Sequence, residues 1–232
     1  MTHPYVGKPD AQFWKREPGI SDWRSLDPVS KPPFQISKTD RVVTAGSCFA
    51  QHVGRALRRA GFRHHVTERA HAIFPPPIAN KHNYGVFAAR YGNVYTARQL
   101  RQLIDRAYGK FVPVATSWSH TSGDGVVDPF RPNIQPGGFL SARELEVDRQ
   151  VHLAAVRKAL EEMDVFVFTL GLTEAWIDRR DGAAFPLAPG VSGGEFDPDS
   201  VEFKNFDEEE VFEDLLETLK AIRTIRPDVK IF

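Results

Sequence analysis

A serine stands at the point where a buried strand is predicted to turn into a helix. Residues 41–46 form an apolar run without alternation, which is typical of a strand covered on both faces. Apolar residues then recur at spacings of three and four, namely Phe49, Val53, Ala56, Leu57 and Ala60. This spacing predicts an amphipathic helix that ends at Gly61. Ser47 therefore lies at a strand-to-helix junction.

The position of Ser47 suits nucleophilic chemistry. The N–H groups of the first helical turn lack partners within the helix, and the helix dipole there favours negative charge. If Ser47 attacks an acyl carbonyl, the N–H of Ser47 or Cys48 can hold the resulting oxyanion, and Gly46 leaves room for the substrate. A serine at this position can equally serve only to cap the helix. The Gly-Ser pair alone leaves both interpretations open.

Cys48 offers a second nucleophile beside Ser47. A thiol at a helix N-terminus can have a lowered pKa and become reactive. Two adjacent residues cannot both face one substrate, and cysteine is among the most frequently buried residue types. The sequence therefore favours a structural Cys48 that fills space in the interior.

A second group of polar residues follows the clearest predicted strand, residues 165–171. Ligands of parallel α/β sheets bind beyond the carboxyl ends of the strands, so Ser47 and Thr173 are predicted to lie at the same edge. Glu174 comes next, and it can orient a base, bind substrate or cap the following turn. Their shared edge is the predicted site.

Local signals place the remaining elements. Helices are predicted after Thr96 and Ser141, where capping boxes with Gln99 and Glu144 begin, and after Asp207. Further strands are predicted at residues 64–67 and 229–232, a break at the prolines 75–77, and long loops over residues 109–140 and 178–206. Strands that alternate with helices predict an α/β fold with a parallel sheet.

The chain is predicted to have two parts. Residues 1–38 form an irregular arm whose Trp14 and Trp23 need an apolar surface to pack on, and residues 39–232 form the main domain.

Composition narrows the function. The 232 residues include thirty basic and thirty acidic side chains, so the charge balance gives no reason to expect nucleic acid or an anionic membrane as partner. One cysteine excludes an internal disulfide and a Cys-rich zinc site. The spacing of His64, His65 and His71 is poor evidence for a metal. With no long apolar run and a polar N-terminus, the sequence predicts a cytoplasmic protein without metal or cofactor.

Three motifs carry a family resemblance. The run at 46–50 reads GSCFA, and the segments 127–132 and 169–176 follow in the expected order. The chain thereby resembles the GSCFA family, which is itself similar to the SGNH (GDSL-like) hydrolases. This resemblance implies a three-layer α/β/α flavodoxin-like sheet and an esterase or acyltransferase acting on the O-acyl ester of a saccharide or small molecule.

The resemblance also implies roles for individual residues. Ser47 takes the position of the nucleophile, and Gly92 that of a backbone oxyanion donor, with Gly85 as the competing choice. Thr173 stands where these enzymes usually carry asparagine, so Asn93 is a candidate for the missing donor. Glu174 completes the predicted substrate-binding set.

The resemblance places the general base on a histidine near the C-terminus. The last histidine here is His152, before the third motif, so the chain is expected to be C-terminally truncated with its base beyond Phe232. No upstream histidine is assigned the role. The alternative is a non-catalytic binding domain on a degenerate SGNH scaffold. Asp128 and Arg131 are predicted to pair with each other and fix their loop.

Overall fold

The computed structural model describes residues 3–13 and 32–232. The chain divides into two compact units, Met1–Ile36 and Ser37–Phe232. In the first unit, a short 3-10 helix spans Asp10–Gln12, and the rings of Tyr5 and Phe13 meet edge to face with centroids 6.2 Å apart. The predicted packing of Trp14 and Trp23 falls outside the described residues.

The second unit contains all the longer elements of the described chain. Its helices are α1 (Cys48–Arg59), α2 (Pro76–Lys81), α3 (Ala97–Ala107), α4 (Ala142–Glu162) and α5 (Glu208–Ile225). Its strands are β1 (Val42–Gly46), β2 (Trp118–Ser119), β3 (Val126–Val127), β4 (Val165–Thr169), β5 (Glu174–Asp178), β6 (Ala184–Phe185), β7 (Val201–Asn205) and β8 (Lys230–Ile231). Within residues 3–13 and 32–232, no helix has both the length and the apolar character needed to cross a bilayer.

The predicted parallel sheet is present and has the order β1-β4-β8. β1 and β4 run in register from Val42 opposite Val165 to Gly46 opposite Thr169, and β8 pairs with the start of β4. β2 with β3, and β6-β5-β7, form two antiparallel sheets. The fold is therefore a mixed α/β fold in which two parallel strands end side by side, directly before Ser47 and Gly171.

Both faces of the parallel sheet are covered. Alternate residues of β1 and β4, including Val43 and Phe166, join one core cluster with apolar side chains of α3, α4 and α5. On the opposite face, Thr44 shares a 3.1 Å hydrogen bond with His64, whose ring packs against Gly54 of α1. This double cover explains the continuous apolar run that predicted β1.

The prediction that the large apolar side chains of α1 form its buried face is wrong in part. Phe49 is 62% exposed, and the buried residues of the helix are Ala50 and Gly54. A β-carbon at Gly54 would lie 3.1 Å from the His64 ring nitrogen, so α1 approaches its neighbours too closely for large side chains. Small residues, which the apolar spacing overlooked, form the packing face.

Three loop and strand predictions also need correction. The supposed loop 178–206 contains β6 and β7, which pair on either side of β5. The predicted strand 64–67 is reduced to a single parallel bridge between Val42 and His64. The prolines 75–77 do not interrupt structure but begin α2, because proline fits the first helical positions, where no N–H partner is needed.

The predicted cap residues are confirmed for three helices, but the capping box predicted at the start of α4 is wrong. Thr96 with Gln99, and Asp207 with Glu210, form complete capping boxes at α3 and α5. Ser141 accepts from the Glu144 N–H at the start of α4, but the Glu144 carboxylate accepts from Leu140 rather than from Ser141. Caps depend on contacts within four residues, which is why the sequence locates them well.

The predicted Asp128–Arg131 ion pair is confirmed, at 3.0 Å. Both side chains are almost fully buried, so this part of the supposed surface excursion at 109–140 lies inside the domain. Asp148 of α4 pairs with both Arg131 and Arg90, and Glu68 accepts hydrogen bonds from the Arg90 N–H and from His152 Nδ1. The loop is thus fixed by a buried charge network rather than by one pair.

Candidate functional site

Ser47 lies at the carboxyl end of β1 as the N-cap of α1. Its backbone is extended, and its hydroxyl oxygen accepts a long 3.5 Å hydrogen bond from the Phe49 N–H. The side chain is partly exposed. The structure therefore confirms the cap predicted for Ser47, and the residue remains only half-buried while it caps.

Gly46 is required by the way β1 and β4 end. Its φ is +142°, a conformation that side-chain-bearing residues rarely adopt. A β-carbon there would overlap the Thr169 hydroxyl oxygen and lie 2.9 Å from the Thr169 carbonyl oxygen. This close approach holds the start of α1 against the end of β4.

The end of β4 brings Gly171 next to Ser47. A β-carbon built on Gly171 would lie 3.7 Å from Ser47 Oγ and 3.2 Å from the Tyr95 carbonyl oxygen. The segment before α3 joins both strand ends, because the Val94 N–H donates to the Gly46 carbonyl and the Leu172 N–H to the Tyr95 carbonyl, each at 2.9 Å. The first and third motifs of the sequence therefore meet at Ser47.

A polar chain of side chains leads from α1 into a neighbouring cavity. Gln51, one helical turn after Ser47, donates to Asn93 Oδ1 at 2.9 Å, and Asn93 Nδ2 donates to the Tyr95 hydroxyl oxygen at 3.0 Å. Gln51, Gly92, Asn93 and Tyr95 all line a cavity of about 120 Å³. Gly92 has φ +75° and forms part of this wall.

Thr173 and Glu174 lie beyond Gly171, on the exposed side of the strand ends. The Thr173 hydroxyl donates to Asn205 Oδ1 at 2.6 Å, which occupies its one proton. Glu174 begins β5 and pairs in register with Asn205. The cavity is lined by Gly92 and Asn93, but not by Thr173, Glu174 or Ser47 itself; α1 reaches it through Gln51.

The described histidines have other partners than Ser47. His64 shares hydrogen bonds with Thr44 and Arg58, and burial lowers its pKa to about 4. His65 pairs with Glu162, His82 with Gln135, and His120 with Ser122. Within residues 3–13 and 32–232, no histidine hydrogen-bonds to Ser47.

The prediction of a buried Cys48 is wrong, because its thiol is exposed. As the first residue of α1, Cys48 points away from the small-residue face that packs on the sheet. In the part of the chain that the structure describes, no three His, Cys, Asp or Glu side chains come together as metal ligands.

Gln51 and Tyr95 are the site residues that the sequence analysis missed. Gln51 was recognisable in principle, because a residue four positions after Ser47 lies on the same helical face. Tyr95 had no comparable signal, since its contact with Gly171 depends on how residues 92–95 cross the strand ends.

This fold and site define a mixed α/β protein in which a serine at the end of a parallel strand caps the first helix, one helical turn from a polar cavity. The chain belongs to the GSCFA family, whose family model matches residues 41–232. This confirms the resemblance carried by the three motifs. No curated protein matches the chain, and no solved structure does.

Proposed function

We propose that this protein is a serine-dependent esterase or acyltransferase acting on O-acyl esters of small molecules or saccharides. The observation that carries the proposal is the placement of the Ser47 hydroxyl, accessible at the strand ends and within contact distance of where a Gly171 side chain would begin. A side chain at Gly171 would crowd the Tyr95 carbonyl oxygen, and it would also fill the space beside Ser47 Oγ that an approaching acyl group needs.

In the proposed reaction, Ser47 Oγ bonds to the acyl carbon and the carbonyl electrons move onto oxygen. The N–H groups at the start of α1 and at Gly92 stabilise that oxyanion, with Asn93 as a further donor if its amide leaves Tyr95. A general base, which the described histidines do not supply, takes the Ser47 proton during the attack; breaking the ester bond then releases the alcohol, which receives this proton. Water or a second alcohol then removes the acyl group from Ser47.

The scaffold supports the same proposal. A parallel sheet with α1 against one face and α3, α4 and α5 on the other is the arrangement expected of a three-layer flavodoxin-like SGNH fold. In such sheets the ligand site lies beyond the carboxyl ends of the strands, where Ser47 stands.

Labelling with a fluorophosphonate tests the nucleophile, using protein expressed from its natural gene. Wild type is expected to be labelled at Ser47 and to hydrolyse p-nitrophenyl acetate, and Ser47→Ala to lose both. Ser141→Ala is the matched control, because Ser141 caps α4 as Ser47 caps α1. Each change should cost about 1 kcal/mol of stability as a lost cap, but only Ser47→Ala should abolish labelling. Equal labelling of Ser47→Ala would refute the assignment.

A second candidate is a non-catalytic binding domain on a degenerate SGNH scaffold. The hydroxyl of Thr173 is engaged by Asn205, and the described histidines do not contact Ser47, which favours this candidate. It predicts that wild type resists fluorophosphonate while still binding a small molecule in the cavity beside Asn93. Iodoacetamide-sensitive turnover that survives Ser47→Ala would instead indicate chemistry at the exposed Cys48.

A further inference from the structure

Arg106, in the last turn of α3, is a buried cation that forms no ion pair with any carboxylate of the described residues. Arg106 is only 7% exposed, and its Nη2 atom has no hydrogen-bond partner among the described residues. None of the ion pairs found within residues 3–13 and 32–232 includes it, whereas the equally buried Arg131 pairs with Asp128 and Asp148. A buried charge is costly unless an opposite charge compensates it. Arg106 lacks the directly paired carboxylate that Arg131 has.

The electrostatic surroundings of Arg106 give the same picture. Burial lowers the pKa of Arg106 to about 10; Asp128 attracts it from beyond ion-pair distance, while Arg131 and Arg149 repel it. The face of the Phe130 ring holds the guanidinium in place, with the central carbon 3.8 Å from the ring centroid. The side chain is therefore positioned, yet its charge is incompletely balanced.

Gln99 supplies a second unpartnered donor on the same helix. Its side-chain oxygen accepts from the Tyr95 N–H at 2.8 Å and the Thr96 N–H at 3.3 Å. Because both partners are donors, the oxygen is fixed on that side, and the NH₂ group must lie on the other. That nitrogen is buried and has no hydrogen-bond partner in the described chain.

Both side chains line one small cavity. Gln99, Leu103 and Arg106 follow at helical spacing along one face of α3, and this face borders a cavity of about 30 Å³. The small cavity shares Asn93 and Phe130 as walls with the larger cavity that Gln51 lines.

We infer that Arg106 and Gln99 bind the carboxylate of a small-molecule ligand whose remaining atoms occupy the larger cavity. A water molecule would satisfy the hydrogen bonds but would leave the guanidinium charge uncompensated. A carboxylate has two oxygens for two N–H donors and supplies the missing charge. Binding at this site does not require Ser47 to react; where the proposed function also holds, the ester substrate carries a carboxylate.

Thermal unfolding with added anions tests the inference. Sodium acetate and sodium succinate are each compared with sodium chloride at equal ionic strength, with acetamide as the neutral analogue of acetate. Wild type is expected to show a saturable rise in Tm with both carboxylates, at lower concentration for succinate, and none with acetamide.

Two variants remove the site in different ways. Arg106→Met keeps the apolar stem over Phe130 and removes the charge. Gln99→Glu keeps the oxygen that caps α3 and places a second carboxylate oxygen where the free NH₂ group lies, so the protein supplies its own anion. Both variants are expected to lose the carboxylate-dependent shift. Without ligand, Gln99→Glu is also expected to match or exceed the wild-type Tm, because Arg106 then has a carboxylate partner.

Arg131→Met is the matched control, since it removes an equally buried arginine whose carboxylate partners are present. It is expected to lower the Tm strongly. If Arg106→Met does not fold, the carboxylate-dependent change in the Tm of Gln99→Glu tests the inference on its own. A wild-type Tm that carboxylates do not raise beyond chloride, or a rise that persists unchanged in Gln99→Glu, would overturn the inference and leave water as the occupant of the cavity. Because Ser47→Ala is expected to keep the shift, failure of the hydrolase proposal remains distinguishable from failure of this one.

Discussion

His64 and His152 show how burial decides the state of single side chains. Burial lowers the pKa of each to about 4, so both are neutral near pH 7. In His152 the proton lies on Nδ1, which donates to Glu68 at 2.8 Å, since Nε2 is buried without a partner in the described residues. Burial also opposes ionisation of Glu68, but the His152 hydrogen bond and nearby positive charge outweigh it and hold its pKa at about 2.

These histidines predict a pH dependence of stability. With a folded pKa of about 4 against an ordinary value of 6.5, each takes up its proton in the unfolded state first as the pH falls. The free energy of unfolding should therefore decrease between pH 6.5 and 4, at up to about 1.4 kcal/mol per pH unit for each histidine. His64→Gln should reduce this slope in urea unfolding curves measured across the window. The exposed His52→Gln is the control, and an equal slope in wild type and His64→Gln would contradict the prediction.

The partner of a side chain could be predicted from the sequence where that partner lies only a few residues away. The Asp128–Arg131 pair follows from two opposite charges three positions apart, and the structure contains it. The unpaired state of Arg106 could not be predicted, because it depends on which distant carboxylates fail to reach it. Cys48 was misplaced for a similar reason: average burial statistics say nothing about which side of α1 faces the sheet.

At the scale of elements, the junction between β1 and α1 depends on two strands that end in register. Gly46 opposes Thr169 in the parallel ladder, and the two backbones approach more closely than any side chain at Gly46 would allow. The position of Ser47 thus depends on β4 as much as on the strand that precedes it.

Gly46→Ala is predicted to be severely destabilising. The left-handed φ and the overlap with Thr169 add together, so a loss of more than about 3 kcal/mol is expected in urea unfolding. Gly123→Ala is the matched control: it also has a positive φ, +85°, but open space around it, and should lose only about 1 to 2 kcal/mol. Equal losses in the two variants would show that the contact with β4 contributes nothing.

Elements were predictable from sequence when their signals are short-range. β1, β4 and the caps of α3 and α5 all follow from runs or pairs within a few residues. The antiparallel strands β6 and β7 were missed because β6 has two residues and both depend on pairing with β5. The packing face of α1 was misjudged because contact with a sheet at close range selects small residues over large ones.

At the scale of the molecule, buried charges join segments that are far apart in sequence. Glu68, Arg90, Asp128, Arg131 and Asp148 come from four stretches of chain and form a connected set of ion pairs and hydrogen bonds. Burial disfavours ionisation of Asp128, but the charges of Arg131, Arg106 and Arg149 outweigh it and hold its pKa well below its ordinary value. Asp128 therefore stays ionised at neutral pH and can pair with the buried Arg131.

Asp128→Asn is predicted to cost about 3 to 5 kcal/mol, because it leaves buried guanidinium groups without their carboxylate. Glu217→Gln is the control, since its ion pair with Lys220 is open to solvent and its loss should leave the stability nearly unchanged. Chemical denaturation of both variants measures the difference, and a loss below about 1 kcal/mol for Asp128→Asn would show that the network is dispensable.

The hairpin of β5 and β6 leads into a segment that forms part of the cavity wall. Gln102 of α3 donates to the Gly182 carbonyl and accepts from the Ala184 N–H, each at 2.8 Å, which anchors this hairpin to the helix that carries Arg106. Pro186 and Leu187 follow directly and form part of the cavity wall. Substitutions at these two positions would reshape the cavity while β1 and β4, which end at the Ser47 junction, stay unchanged, so the shape of the cavity and the scaffold can evolve separately.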